Sequence, residues 1–315
     1  MIATIGELRT TLDAGRILLL DGATGTELER RGVACPAPLW SAAALRTHPE
    51  VVEQIHREYV AAGADIVVAN TFRANPRTLR RAGAPADGPE LCRRALDLAR
   101  RAADDDDRRV WVAASVGPAA DCYSPQDVPD EATLGAEHAE LARWLADAGA
   151  DWLWIETINT VREARAAAAA ASAASLPFAI SFVTRESGAL LNGEPLRAAI
   201  EAVTPFRPLA LGVNCIPPRG IDRVLPQFAE AASGCTATAG AACAAAAYAH
   251  IHNARPLPGW SYAQGLAPTE YADVAQGWAA AGAGIVGGCC GTTPAHIAAV
   301  RAILARDSGG APRAD

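Results

Sequence analysis

Residues 209–215 read Leu-Ala-Leu-Gly-Val-Asn-Cys, an apolar run that ends in two polar side chains. A short, nearly continuous apolar run of this kind is typical of a strand buried on both faces of a parallel sheet. Seven further apolar runs lead into polar or turn-forming residues, at positions 17–20, 66–69, 110–114, 152–155, 178–183, 244–251 and 284–286. The sequence therefore predicts eight short parallel strands.

Helical stretches, several of them rich in alanine, lie between these runs. They cover residues 49–63, 90–103, 136–148, 161–174, 221–232, 268–281 and 294–305. Strands that alternate with helices fit a parallel barrel better than a sandwich or a helical bundle. The sequence predicts an α/β protein with a single (β/α)8 (TIM) barrel domain over residues 1–306 and a flexible C-terminal tail over residues 307–315.

The composition argues against several classes of function. Half of the 315 residues are hydrophobic, and a net charge of −7 offers no basic surface for nucleic acid. All 28 basic residues are arginine, so catalysis through a lysine Schiff base is excluded. We expect no signal peptide at the N-terminus and no membrane span, because no apolar run reaches ~18 residues. A cytoplasmic protein, monomeric or homodimeric, is predicted.

Polar residues stand where the predicted strands end, which is where barrels build their active sites. These residues are Asp21, Asn70, Glu156, Cys215, Cys289 and Cys290. Three thiolates suit a catalytic zinc ion, because they leave a fourth position open to a soft substrate sulfur. Glycines at 287, 288 and 291 would let the backbone bend so that adjacent cysteines face one ion. Adjacent cysteines are also compatible with buried small hydrophobes or a redox pair.

Other sequence features carry less weight. The segment 282–287 matches GxGxxG, but its apolar residues form the predicted strand itself, so we do not expect nucleotide binding there. The remaining cysteines show no spacing typical of metal ligands and are expected in core or surface roles: Cys35, Cys92, Cys122, Cys235 and Cys243.

Two motifs together resemble those of the homocysteine S-methyltransferase family. One is Val286-Gly-Gly-Cys-Cys-Gly-Thr-Thr-Pro294 with Gly212-Val-Asn-Cys215 upstream, and the other is Asp21-Gly-Ala-Thr-Gly-Thr-Glu27. The resemblance extends over roughly residues 15–302. It implies Zn²⁺ on Cys215, Cys289 and Cys290.

The resemblance also implies how homocysteine is bound. Asp21 and Glu156 would hold its amino group, and backbone amides near Gly22 and Ala23 would receive its carboxylate. These roles agree with the affinity of carboxylates for ammonium and of glycine-rich turns for anions. Asp21 as a turn cap and Glu156 as the partner of an arginine are the alternatives. The expected substrate-binding set also includes Thr24, Asn70 and Asn214.

The sequence allows two interpretations of Asn214. The family suggests that an oxygen occupies the vacant zinc position before substrate arrives, and Asn214 directly precedes a proposed ligand. Alternatively, its side chain orients the loop.

The implied reaction is methyl transfer from S-methylmethionine or S-adenosylmethionine to the thiol of L-homocysteine, which gives methionine. Betaine, a separate methylcorrinoid protein, or another thiol or selenol acceptor are the alternatives. Asn70-Thr-Phe72 resembles the cobalamin-dependent branch, and Arg255 stands where the family often has glycine. Rivals from other classes are a non-catalytic barrel with structural zinc and a thiol oxidoreductase using Cys289 and Cys290.

Overall fold

A computed structural model describes residues 4–239, 243–251 and 265–308 of the protein. Its eight strands are all parallel and belong to one sheet. They are β1 (Leu18–Leu19), β2 (Ile66–Ala69), β3 (Trp111–Val116), β4 (Leu153–Ile158), β5 (Phe178–Phe182), β6 (Ala210–Asn214), β7 (Ala244–Ala249) and β8 (Ala283–Gly288).

The sheet closes into a barrel. From β2 to β8 each strand pairs with its neighbour in sequence, and β1 pairs with β8. A parallel bridge between Leu20 and Ile66 joins β1 to β2 and completes the ring. The prediction of a single (β/α)8 barrel is confirmed. Strand β4 extends beyond the predicted end, so that Glu156 lies within the strand instead of after it.

Helices follow the strands and surround the barrel. They are α1 (Ile5–Asp13), α2 (Gly25–Arg30), α3 (Ala44–Thr47), α4 (Pro49–Ala61), α5 (Pro76–Arg81), α6 (Gly88–Asp104), α7 (Glu131–Asp147), α8 (Val161–Ala173), α9 (Leu196–Val203), α10 (Pro218–Ala239), α11 (Pro268–Ala280) and α12 (Pro294–Ser308).

All seven predicted helices occur, with shifted ends. The sequence predicts no helix at α1, α2, α3, α5 or α9, because these helices have only four to nine residues and their apolar patterns are short. Helix α12 continues to Ser308, two residues beyond the predicted domain end, and residues 309–315 of the predicted tail lie outside the described part of the chain. None of the helices described is long and apolar enough to cross a membrane.

The barrel interior is filled by side chains that alternate along each strand. Trp152 and Trp154 point inward and meet edge to face, with ring centroids 5.6 Å apart. Strands β5, β6 and β7 supply small residues to this cluster, Ala179, Ala210, Ala244 and Ala246, which leaves room for the two indoles. The same interior cluster extends to Tyr248, Cys215 and Cys289 at the carboxyl ends of the strands, which form the mouth of the barrel.

Candidate metal centre and substrate pocket

Three cysteine sulfurs meet at the carboxyl ends of the strands. Cys215 follows β6, and Cys289 and Cys290 follow β8. Their Sγ atoms all lie within 4.8 Å of one another, and those of Cys215 and Cys290 are 3.9 Å apart. Zinc–sulfur bonds of about 2.3 Å in a tetrahedron place two sulfurs about 3.8 Å apart. The donor set and the Cys215–Cys290 distance therefore fit a metal of the zinc class.

The structure joins Cys215 and Cys289 in a disulfide, with their Cα atoms 5.8 Å apart, and leaves Cys290 as a free thiol. The alternative of a thiol oxidoreductase requires a disulfide between the adjacent Cys289 and Cys290. The disulfide in the structure joins a different pair. Metal ligands must be thiolates, so metal binding requires the reduced form of this pair. Burial raises the pKa of the Cys290 thiol to about 12, with a further contribution from the negative charge of Glu156.

Backbone geometry explains how the cysteines converge. Cys215 has a φ of +53°, and Gly291, directly after the cysteine pair, has a φ of +86°. Gly288 does not use a positive φ, but a Cβ atom there would collide with the side chain of Thr292. The predicted need for glycine is thus conformational at 291 and steric at 288.

Two carboxyl groups lie in the same mouth. Asp21 is 3% exposed and accepts a 3.0 Å hydrogen bond from the Val68 N–H. Burial raises the pKa of Asp21 well above its ordinary value, and the nearby charge of Glu156 raises it further. Among the residues described, neither carboxyl has an arginine or histidine partner at ion-pair distance. Asp21 is buried and Glu156 half-buried, and two such carboxyls without a cation are complementary to an ammonium group.

Glu156 is held by side-chain hydroxyls. Ser115 donates a 2.6 Å hydrogen bond to Oε1, and the Tyr248 hydroxyl lies 3.4 Å from Oε2. Burial raises the pKa of Glu156 to about 7, although both hydrogen bonds act to lower it. The carboxyl therefore changes its charge near neutral pH.

The loop from Asp21 to Thr24 packs against the loop that follows β8. The N–H of Ala23 donates to Thr292 Oγ1 at 3.3 Å. The Tyr59 hydroxyl bridges the carbonyl oxygens of Ala23 and Thr292, at 2.9 and 3.1 Å. A Cβ atom at Gly22 would come within 2.7 Å of the Tyr59 hydroxyl. The predicted carboxylate-binding turn is therefore packed tightly against Tyr59.

The two asparagines predicted to bind substrate, Asn70 and Asn214, form hydrogen bonds to other residues of the protein. Asn70 exchanges two hydrogen bonds with Ser41, donating to its carbonyl at 2.9 Å and accepting from its hydroxyl at 2.8 Å. Asn214 is fully buried and bonds to Thr157 and Ser181. Both amides thus hold the backbone near the carboxyl ends of the strands in place.

Sequence reasoning assigned no role to the residues that support the carboxyl groups and the first loop. They are Ser115, Tyr248, Thr292 and Tyr59. One signal was available for Tyr248: it is the single polar residue in a strand of alanines. Of the remaining cysteines, Cys35, Cys92 and Cys122 are free thiols, Cys243 is half-buried and directly precedes β7, and the Cys235 side chain lies outside the described part. Arg255 also lies outside it.

Comparison with known proteins agrees with this geometry. A model of the homocysteine S-methyltransferase family matches residues 18–304. The chain is 32% identical to the homocysteine S-methyltransferase of Escherichia coli (strain K12), over 94% of this chain and 97% of that protein. It is 28% identical to the selenocysteine Se-methyltransferase of Brassica oleracea var. italica, over 91% of this chain and 89% of that protein.

Solved structures of homocysteine methyltransferases are also similar to this chain. The metallated form of the homocysteine methyltransferase MmuM from Escherichia coli matches with a TM-score of 0.78 and 31% identity, covering 94% of this chain and 99% of that one. The matched region includes the Asp21 loop and both cysteine motifs. The chain therefore belongs to the homocysteine S-methyltransferase family and is a methyltransferase.

Proposed function

We propose that the protein transfers a methyl group from S-methylmethionine or S-adenosylmethionine to the thiol of L-homocysteine, giving methionine, with Zn²⁺ on Cys215, Cys289 and Cys290. The observation that carries the proposal is one barrel mouth that combines a three-sulfur cluster with the buried carboxyl of Asp21 and the half-buried carboxyl of Glu156. A thiol amino acid presents the matching pair of groups, a soft sulfur and an ammonium.

The acceptor is oriented by its polar end. Asp21 and Glu156 take the ammonium group, and this new cation favours their ionised forms. The amides of Gly22 and Ala23 face the carboxylate, with Thr24 beside them, and Ala23 exchanges its weak 3.3 Å bond to Thr292 for the substrate. Asn70 and Asn214 act by holding the surrounding backbone.

A bound zinc ion supplies Lewis-acid stabilisation that keeps the substrate thiol deprotonated near neutral pH. The thiol proton leaves to solvent, the sulfur attacks the methyl carbon, and the electron pair of the broken bond stays on the donor sulfur. A sulfonium donor thus leaves as a neutral thioether, and no general acid is needed. The protein contributes orientation and exclusion of water.

A sulfonium donor is supported by aromatic rings on the loops above the barrel. Trp40 and Phe72 are half-buried and meet edge to face with ring centroids 6.4 Å apart. The guanidinium of Arg73 lies 5.1 Å from the Phe72 ring centre, so the Trp40 ring is the one left to contact an onium group.

Two alternatives have specific support. The relative named selenocysteine Se-methyltransferase favours a selenol as a second acceptor. The resemblance of Asn70-Thr-Phe72 to the cobalamin-dependent branch keeps a methylcorrinoid partner as a rival donor.

The cysteine cluster itself argues against a purely structural zinc site. A non-catalytic zinc site requires a fourth protein ligand, and within the described residues no other histidine, cysteine or carboxylate joins the three sulfurs. Free thiolates at this site need a reducing compartment, which favours the cytoplasm.

The decisive assay is methionine formation from homocysteine by zinc-loaded protein under reducing conditions. S-methylmethionine, S-adenosylmethionine, betaine and methylcobalamin are offered in separate reactions, with Cys290→Ala as the control. Turnover with one of the two sulfonium donors that disappears in the variant supports the proposal. Turnover with betaine or methylcobalamin alone replaces the sulfonium donor. No turnover in a zinc-loaded protein overturns the proposal and points to another thiol acceptor or to a methylcorrinoid protein as the donor.

A further inference from the structure

Asn214 connects two strands that carry different parts of the site. It is the last residue of β6, and its side chain reaches Thr157 in β4. Its Oδ1 accepts from the Thr157 N–H at 3.0 Å, and its Nδ2 donates to Thr157 Oγ1 at 2.9 Å. Oδ1 also accepts from the hydroxyl of Ser181 at 2.9 Å. All three residues are buried, so these bonds face no competition from water.

Both ends of this connection adjoin left-handed backbone. Thr157 has a φ of +64°, which is unusual for a β-branched residue, and Cys215 has a φ of +53°. Such conformations are unfavourable for residues other than glycine and persist where the surroundings hold them. Thr157 directly follows Glu156, and Cys215 directly follows Asn214. One amide therefore fixes the backbone beside a proposed ammonium-binding carboxylate and beside a proposed metal ligand.

A second path leads from Asn214 to Glu156 through side chains. Ser181 hydrogen-bonds to the Tyr248 hydroxyl, which also accepts from the Trp154 indole N–H at 2.7 Å. The same hydroxyl lies 3.4 Å from the Glu156 carboxylate. Glu156 is thus connected to Asn214 through its following residue and through its own carboxylate.

We infer that Asn214, acting through Thr157, is a positioning residue that sets the separation between Glu156 and Cys215 and thereby selects the acceptor by the length of its side chain. The inference rests on the proposed function. Homocysteine has one methylene more than cysteine between its ammonium-bearing carbon and its sulfur. If the two ends of the site are held at a fixed separation, the shorter thiol cannot satisfy both, and one methylene is worth about 10–200-fold in discrimination.

The test measures binding without turnover. Zinc-loaded wild type, Asn214→Ala, Thr157→Val and Thr157→Ser are titrated calorimetrically with homocysteine and with cysteine, in the absence of a methyl donor. Asn75→Ala is the matched control, because Asn75 is also buried, at 2% exposed, and its side chain bonds to the Thr78 N–H at 2.8 Å and to the Pro118 carbonyl at 3.4 Å. If Asn214→Ala does not fold, Thr157→Val and Ser181→Ala carry the test.

We expect the ratio of the two dissociation constants to fall about tenfold or more in Asn214→Ala and in the same direction in Thr157→Val. Thr157→Ser keeps the hydroxyl and should retain the wild-type preference, as should Asn75→Ala. An unchanged ratio in Asn214→Ala and Thr157→Val, or an equal loss in Asn75→Ala, overturns the inference alone. A wild type that binds both thiols equally also overturns it, whereas a wild type that binds neither removes the proposed function itself.

Discussion

The hydroxyl of Ser115 donates a 2.6 Å hydrogen bond to Glu156, across the boundary between β3 and β4. It is the shortest of the described contacts to this carboxylate, since Tyr248 lies 3.4 Å away. Glu156 has no cationic partner among the residues described, and burial raises its pKa to about 7. The hydroxyl therefore offsets part of the cost of ionising a buried carboxyl, which is the form that an ammonium group requires.

Ser115→Ala should weaken homocysteine binding. Loss of a hydrogen bond to a charged group raises the pKa of Glu156 further, and we expect the KM for homocysteine to rise about tenfold at pH 7 with a smaller change in kcat. Glu156 must be ionised, so affinity should increase as pH rises through 7, and this increase should move to higher pH in the variant. Tyr248→Phe removes the longer contact and should have the smaller effect. Equal KM–pH profiles for Ser115→Ala and wild type would contradict this role.

Gly288→Ala should disturb the loop that carries the cysteine pair. A Cβ atom at 288 collides with the side chain of Thr292, and overpacking of this kind costs about 1–3 kcal/mol. We expect a lower free energy of unfolding in urea and a lower zinc content after reconstitution. Gly277→Ala is the control, because no atom lies within 4 Å of a Cβ there and alanine favours its helix, α11. A Gly288→Ala protein as stable and as zinc-rich as the control would refute the steric explanation.

The barrel was predictable from sequence because each strand is an apolar run of its own. Residues 66–69 coincide with β2, and the cysteines that follow β6 and β8 meet as the barrel topology requires. Parallel strand ends share one face of a barrel whatever the side-chain detail. This rule sufficed to place Asp21, Glu156 and the three cysteines in one mouth.

The partners of those residues were not predictable. Asn214 and Thr157 are 57 positions apart, and Ser115 and Glu156 are 41 apart, so both contacts depend on the register between strands. Asn70 shows the same difficulty, because its amide bonds to Ser41, which lies 29 positions earlier in the chain. Periodicity identifies which face a side chain occupies, but it does not identify which hydroxyl or amide stands opposite.

His56 should make the protein less stable in mild acid. It is fully buried in α4, both ring nitrogens lack a partner in the described part of the chain, and burial lowers its pKa from 6.5 to about 4. Between these values the unfolded chain binds the extra proton, so stability is present above pH 6.5 and is lost as pH falls toward 4. The loss amounts to about 3 kcal/mol.

Urea unfolding of wild type and His56→Leu at pH 4.5, 5.5 and 7 isolates this contribution, because other titrating groups are common to both proteins. The difference in unfolding free energy between them should shift in favour of the variant as pH falls. A difference that is constant over this pH range would show that His56 does not titrate in folding.

Asp21→Asn should separate substrate binding from metal binding. The amide keeps an oxygen for the Val68 N–H, so the loop after β1 should retain its conformation. The negative charge that faces the substrate ammonium is lost, and breaking a buried charge pair typically costs about 3–5 kcal/mol. We therefore expect kcat/KM for homocysteine to fall at least ~100-fold while zinc content stays at the wild-type level. Cys290→Ala should show the opposite order, losing zinc first. If Asp21→Asn lost zinc as Cys290→Ala does, Asp21 would belong to the metal site, and the ammonium would have to be held by Glu156 alone.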